Sequence, residues 1–235
     1  MNMRGIQHTG AAVRAKQASI RLFVFDLDNT ALGGYTPYHK FPERFVKFIN
    51  SLRSRGIGWA TCTTWGIDLQ FSMVQYSGIT NPPTFLSGSS GLELSRVRSW
   101  KLVPDEEYRR HVAETSARFR KRNWQAVRKT MAELLRRDWL CEFEFNFQNI
   151  VSFKARKGRA KAVRMLAKDE LPAGQYYEFN PKSEDYIILM PHYMNKGAAV
   201  AEMQKRLRIC PDETLVAGDG TNDLSMMAKA RWAVC

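Results

Sequence analysis

Ile20-Arg21-Leu22-Phe23-Val24-Phe25-Asp26-Leu27-Asp28-Asn29-Thr30 decides how the rest of the chain is read. An apolar run of strand character ends in two carboxylates spaced i, i+2, and open α/β sheets place their ligands outside the carboxyl ends of such strands. About 190 residues later the pattern returns, as Leu215-Val216-Ala217 runs into Gly218-Asp219-Gly220-Thr221-Asn222-Asp223. A parallel sheet can bring both acidic ends to one edge, however much chain lies between them.

Working outward, residues 42–55 carry Phe45, Phe48, Ile49 and Leu52 at i, i+3, i+4, i+7, which predicts a helix that Gly56 ends. Residues 57–62 read as a second strand, 66–76 as a helix, and 84–86 as a short strand after Asn81-Pro82-Pro83. Alternation of this kind favours parallel βαβ units. The pattern then changes. Residues 104–137 are charged and helix-prone with a break expected near Asn123, 141–155 reads as one or two strands around Asn149, and 159–170 as a helix. Strands are expected at 176–180 and 186–190, after which alternation resumes with helix 196–207, strand 215–217, helix 222–230 and strand 232–235. The fold class is therefore α/β: a Rossmann-like parallel-sheet core, residues 19–87 and 191–235, interrupted by an inserted α+β domain, residues 88–190. Residues 1–18 read as a basic N-terminal tail.

Composition agrees with a globular protein, 44% hydrophobic and 11% aromatic. Every apolar run is interrupted by a charge before the roughly 18 to 20 residues that a membrane helix needs, so no membrane association is expected. Cys62, Cys141, Cys210 and Cys235 lie far apart with no C-x-x-C pair, which reads as reduced thiols, a cytoplasmic setting and no zinc. The formal charge of +13 is unevenly placed: residues 96–168 hold 20 Lys and Arg against 8 Asp and Glu, which is +12 of the total. Such a field attracts anions without choosing among phosphorylated metabolites, nucleic acid and acidic surfaces.

Each acidic motif also has an ordinary explanation. Asp28-Asn29-Thr30 could be a turn with an Asx cap, and the Asp219 to Asp223 run a loop followed by a helix N-cap. A calcium loop counted from Asp26 fails, because its sixth and twelfth positions are Ala31 and Pro37. Paired carboxylates at a strand end suit Mg²⁺, a hard cation with oxygen ligands, and an aspartate can attack phosphorus while a second carboxyl moves the proton. Thr63 ends the second strand with a hydroxyl, and Lys196 begins a helix after Asn195, where the dipole disfavours a cation unless an anion sits there too.

The order acid pair, hydroxyl, lysine, acid pair resembles the four signature motifs of the haloacid dehalogenase superfamily. Asp26 to Thr30 matches the first, Thr63 the second, Lys196 in Asn195-Lys196-Gly197 the third, and Gly218 to Asp223 the fourth. An insertion between the second and third marks a type-two cap in that superfamily. Asp26-Leu27-Asp28-Asn29-Thr30 and the run Pro82 to Leu94 are most similar to the sucrose-phosphate phosphatase-like branch.

The resemblance implies a Mg²⁺-dependent phosphomonoester hydrolase acting through an aspartyl-phosphate on a small phosphorylated substrate such as a sugar phosphate. It makes Asp26 the nucleophile and Asp28 the acid/base; Thr63, Lys196 and Asn222 hold phosphate; Asp26, Asp28, Asp219 and Asp223 serve the metal, Asp28 through its backbone carbonyl. Two features depart from the pattern. The second motif continues as Thr63-Thr64-Trp65 where relatives commonly carry Thr-Gly-Arg, and the sequence given ends twelve residues after Asp223, where relatives usually continue past the last strand. Two other readings stand beside the hydrolase. One is a nucleic-acid-binding protein that uses Arg118, Arg120, Lys121, Arg122, Arg128, Lys129, Arg136 and Arg137, with Trp124 and Trp139 among them; it is not favoured. The other is a sugar phosphomutase. Oligomeric state is not encoded in any pattern here.

Overall fold

The computed structural model describes residues 19–32, 40–179 and 184–235, so the basic segment 1–18 lies outside the described residues. Strand β1, Leu22–Phe25, lies inside a parallel sheet and sends alternate side chains to two different cores. Leu22 and Val24 pack with Ala60, Cys62, Val200 and Met203, while Phe25 packs with Ile49, Leu52, Trp59 and Met73 on the other face. The helices behind these contacts are α1 (Glu43–Leu52) and α2 (Ile67–Tyr76) on the second face and α5 (Lys196–Leu207) on the first. Gly56, in the left-handed region at φ 65°, reverses the chain after α1 as the sequence predicts.

On either side of β1 run β2 (Gly58–Cys62) and β10 (Thr214–Ala217), with β3 (Phe85–Gly88) and β11 (Trp232–Val234) beyond them, all parallel. Two further strands extend the sheet past β3: β4 (Glu93–Arg98) and β5 (Lys101–Pro104), both antiparallel, giving the order β11-β10-β1-β2-β3-β4-β5. This hairpin falls in the segment that the sequence division assigns to the insertion, yet it hydrogen-bonds to the core sheet. Its turn, Ser99-Trp100, holds both residues at positive φ (49° and 59°), a geometry normally announced by Asn-Gly.

The remaining strands form a separate antiparallel sheet in the order β6-β7-β9-β8: β6 Leu140–Phe145, β7 Val151–Ala155, β8 Tyr176–Phe179 and β9 Tyr186–Pro191. One face packs on α3 (Glu106–Arg136) and α4 (Ala160–Glu170), burying Val127, Leu134, Phe153, Val163 and Ile187. The expected break near Asn123 does not occur, and α3 runs unbroken for 31 residues. Asn123 is buried and donates from Nδ2 to the Phe119 carbonyl at 2.9 Å, so its side chain bonds within the helix instead of competing with it. The expected helix 222–230 is shorter, α6 spanning Leu224–Met227 after a tight turn at Thr221–Asp223.

At its start α3 is tied to α5. Asp105 caps α3 by accepting from Tyr108 N–H at 3.0 Å and also takes both arms of Arg206, at 2.8 and 2.9 Å. Arg206 reaches Glu107 as well, at 2.8 Å. Close backbone contact holds the other crossing: a Cβ at Gly91, whose φ is 90°, would run into the Asn195 carbonyl and approach Lys196 Cα at 3.3 Å. Gly91→Ala is therefore expected to lower stability by about 2–4 kcal/mol, adding left-handed strain to overpacking. A smaller urea midpoint at unchanged slope is the outcome to look for.

Candidate active site

Register explains why distant residues meet. Phe25 sits opposite Thr61 on β2 and Ala217 on β10, so Asp26, Cys62-Thr63 and Gly218-Asp219 emerge side by side at one sheet edge. Asp26 N–H still donates to the Ala217 carbonyl at 2.9 Å. The chain then turns with Ala31 N–H reaching the Asp26 carbonyl at 3.2 Å and Asn29 at φ 53°, in the left-handed conformation that asparagine tolerates.

Lys196 enters from the other side of the sequence as the first residue of α5. Asn195 caps that helix, its Oδ1 accepting from Ala198 N–H at 2.9 Å. Gly197 lets the helix press on the backbone of Ser225, since any Cβ there would collide with the Ser225 carbonyl. The lysine side chain is thereby driven inward, where its Nζ lies 2.7 Å from Asp26 Oδ1 and 2.5 Å from Asp223 Oδ1. All three groups are buried, at 1% (Lys196), 5% (Asp26) and 0% (Asp223) exposure. Asp223 keeps its capping role too, since Oδ2 accepts from Gly220 N–H at 3.0 Å. Gly218 is required beside it, because a Cβ there would strike the Asp223 carboxyl.

Burial pushes the Asp26 carboxyl above its ordinary range, against the pull of Lys196, and Asp223 adds to the rise. Burial works against the charge of Lys196, but the carboxylates of Asp26 and Asp223 outweigh it and hold the ammonium above its ordinary value. Cys62, wholly buried beneath, is pushed up to about 12 by burial, so it is a thiol and no nucleophile.

Asp219 completes an acidic cluster: one oxygen each from Asp26, Asp219 and Asp223 lies within 4.8 Å of the others. Three carboxylates against one ammonium leave an excess of two negative charges around an all-oxygen donor set. Such a set suits a hard divalent cation, and the charge excess matches one. Thr30 Oγ1 touches Asp219 Oδ1 at 3.5 Å.

Among the other expected residues, Thr63 is fully buried and its Oγ1 accepts from Trp65 N–H at 3.5 Å. Asn222 folds its side chain over Gly220, leaving no room there for a Cβ. The Asp28 carboxyl stands outside the acidic cluster and is turned to Trp65, whose Nε1–H donates to Asp28 Oδ2 at 2.9 Å. Sequence reasoning did not assign Trp65 this contact. The available signal was that tryptophan stands where relatives commonly carry the arginine of Thr-Gly-Arg.

Tyr177 on β8 comes near enough to Lys196 to feel its charge. Burial raises the Tyr177 hydroxyl and the Lys196 charge pulls it back down, and the same hydroxyl donates to the Met194 carbonyl at 3.1 Å.

Fold and site together define a phosphatase of the haloacid dehalogenase superfamily, and comparison with known proteins agrees. The chain belongs to the sucrose-6F-phosphate phosphohydrolase family, whose model matches residues 19–235. Solved structures share the fold at low identity. The sucrose-phosphatase of Synechocystis, solved with sucrose and phosphate, superposes with a TM-score of 0.54 at 18% identity, covering 92% of this chain and 82% of that one. A Thermoplasma acidophilum protein, 0175, gives 0.57 at 17%, covering 92% and 84%. A phosphatase of the haloalkanoate superfamily from Bacteroides thetaiotaomicron gives 0.57 at 14%, covering 94% and 85%. Comparison with curated protein sequences finds no match. No helix among the described residues is long and apolar enough to cross a membrane.

Two outcomes test this geometry. Lys196→Met leaves two buried carboxylates facing each other and should cost about 3–5 kcal/mol in urea unfolding, with Asp223→Asn in the same chain recovering part of it. Native alkylation with iodoacetamide should label the exposed Cys141, Cys210 and Cys235 and spare Cys62 until the protein is unfolded.

Proposed function

We propose that this phosphatase is a Mg²⁺-dependent phosphomonoester hydrolase that works through an aspartyl-phosphate on a small phosphorylated metabolite, most simply a sugar phosphate. The observation that carries the reading is the Asp26 carboxylate, held 2.7 Å from a buried lysine within a cluster of three acids at a parallel-sheet edge. Phosphoryl transfer needs little beyond positioning and charge compensation, and this arrangement is suited to both.

Asp26 attacks phosphorus. Lys196 keeps the attacking carboxylate oriented and offsets charge on the phosphoryl oxygens, which Thr63 and Asn222 help to hold. Asp28 hands its proton to the departing oxygen as the phosphorus–oxygen bond breaks, then takes a proton from the water that attacks the aspartyl-phosphate, releasing phosphate and the free Asp26 carboxylate. Asp26 and Asp219, with the backbone carbonyl of Asp28, would hold Mg²⁺, which when bound would supply positive charge to the transferring phosphoryl group. Asp223, whose two oxygens already accept from Lys196 and Gly220, orients the metal or its waters. The leaving group sits on the side of Lys196 that Tyr177 of the β6-β7-β9-β8 sheet approaches, and the basic excess of residues 96–168 draws anionic substrates toward it.

A sugar phosphate is supported by the family to which the chain belongs. Phosphate release from a panel of phosphorylated sugars, glycerates and nucleotides should require Mg²⁺, stop with EDTA and return when Mg²⁺ is restored. Asp26→Asn should reduce it by on the order of 10⁴-fold or more while leaving the circular dichroism unchanged. Turnover by that variant at the wild-type rate would defeat the assignment.

A further inference from the structure

Among the described residues, Trp65 is the aromatic side chain in direct polar contact with the acid/base carboxyl. Its backbone is held on several sides: the Trp65 carbonyl accepts from Gln70 Nε2 at 2.9 Å and from Ser89 N–H at 3.1 Å. Gly88 lies so close that an added Cβ would stand 2.6 Å from the Trp65 carbonyl oxygen. The turn that delivers Ser89 is strained, with Ser89, Ser90 and Gly91 in succession at φ 51°, 57° and 90°. Two serines in the left-handed region cost roughly 1–2 kcal/mol each, and such strain persists where surrounding contacts enforce it. Ser90 N–H is bonded to the Thr63 carbonyl at 3.1 Å, so the same turn grips both ends of Thr63-Thr64-Trp65. The indole body packs against the aromatic core containing Phe25 and Trp59, which leaves Nε1–H directed at Asp28 Oδ2.

We propose that Trp65 is a positioning residue for proton transfer by Asp28, an inference that rests on the acid/base role given to Asp28 above. An indole N–H donates and never accepts. Oδ2 therefore serves as its acceptor whether Asp28 is charged or neutral, and protonating Oδ2 would replace a good acceptor with a poorer one. Oδ1 is left as the oxygen that carries the proton. One bond thus fixes the carboxyl rotamer and selects which oxygen serves the leaving group and, in the second step, the water. An arginine at this place would compete as a cation; a tryptophan orients the carboxyl without adding charge beside the metal site.

The test compares leaving groups. kcat/KM covers steps up to departure of the alcohol, and p-nitrophenolate leaves without a proton whereas a sugar or glycerol alkoxide does not. Trp65→Phe keeps the ring and removes the donor. It should lower kcat/KM on glycerol 2-phosphate by about 100-fold, the order a positioned general acid contributes, and on p-nitrophenyl phosphate by less than about 5-fold. In ¹H–¹⁵N spectra the Trp65 indole resonance, identified by its loss in Trp65→Phe, should move in Asp28→Ala and stay in place in Asp68→Ala. Equal losses on both substrates, no loss on either, or an indole resonance indifferent to Asp28→Ala would overturn the proposal. If the wild-type protein releases phosphate neither from these two esters nor from any member of the panel above, the hydrolase reading fails and this inference fails with it; turnover with equal losses removes the inference alone.

Discussion

A buried ammonium needs anions, and the site is organised by how Lys196 obtains them. Taking three ionised groups out of water costs several kcal/mol apiece unless they compensate one another. Lys196 meets that condition only if α5, the end of β1 and the turn after β10 arrive at one point. Glycine is what lets them do so: Gly197 on Ser225, Gly218 on Asp223 and Gly91 on Asn195 each allow a backbone approach that a methyl group would forbid. The placement of Lys196 at a helix start, unfavourable to a cation by the dipole, is offset by the same two carboxylates.

The ordinary and the functional readings of the acidic motifs turn out to be compatible. Asp223 bonds Gly220 N–H as a turn-capping residue would, and with its other oxygen it bonds Lys196. A carboxylate has lone pairs enough for both. Choosing between cap and site from the motif in isolation was therefore asking one residue for a single role where it holds two.

Much of the core was legible because period-two alternation and turn residues act locally. Phe23 and Phe25 against Leu22 and Val24 announce a strand buried on both faces, and Gly56 announces its own turn. Other features depended on contacts that no local pattern carries. The β4–β5 hairpin turns on Ser99-Trp100, two residues without the usual preference for positive φ. Asn123 reads as a helix breaker until its side chain is seen bonded to Phe119 within a packed interior. At the site, the grouping of Asp26, Lys196 and Asp223 followed from strand ends and motif order, whereas the Trp65 to Asp28 bond spans two loops, one of which is held by the strained turn at Ser89–Gly91. The uneven charge was visible as a count, but not that several of its members are occupied in ion pairs along α3 and its neighbours, as Lys129 is with Glu170 and Arg137 with Glu133.

The unbroken course of α3 has a mechanical meaning. At 1.5 Å per residue its 31 residues make a rod about 46 Å long, anchored at the Asp105–Arg206 end and bearing the small sheet along its flank. A rod does not fold in the middle. Small angular changes near Asp105 are therefore magnified into wide displacements at the far tip. Arg206, paired with Asp105 and Glu107 at the foot, thus sets the direction in which the whole rod leaves the core sheet.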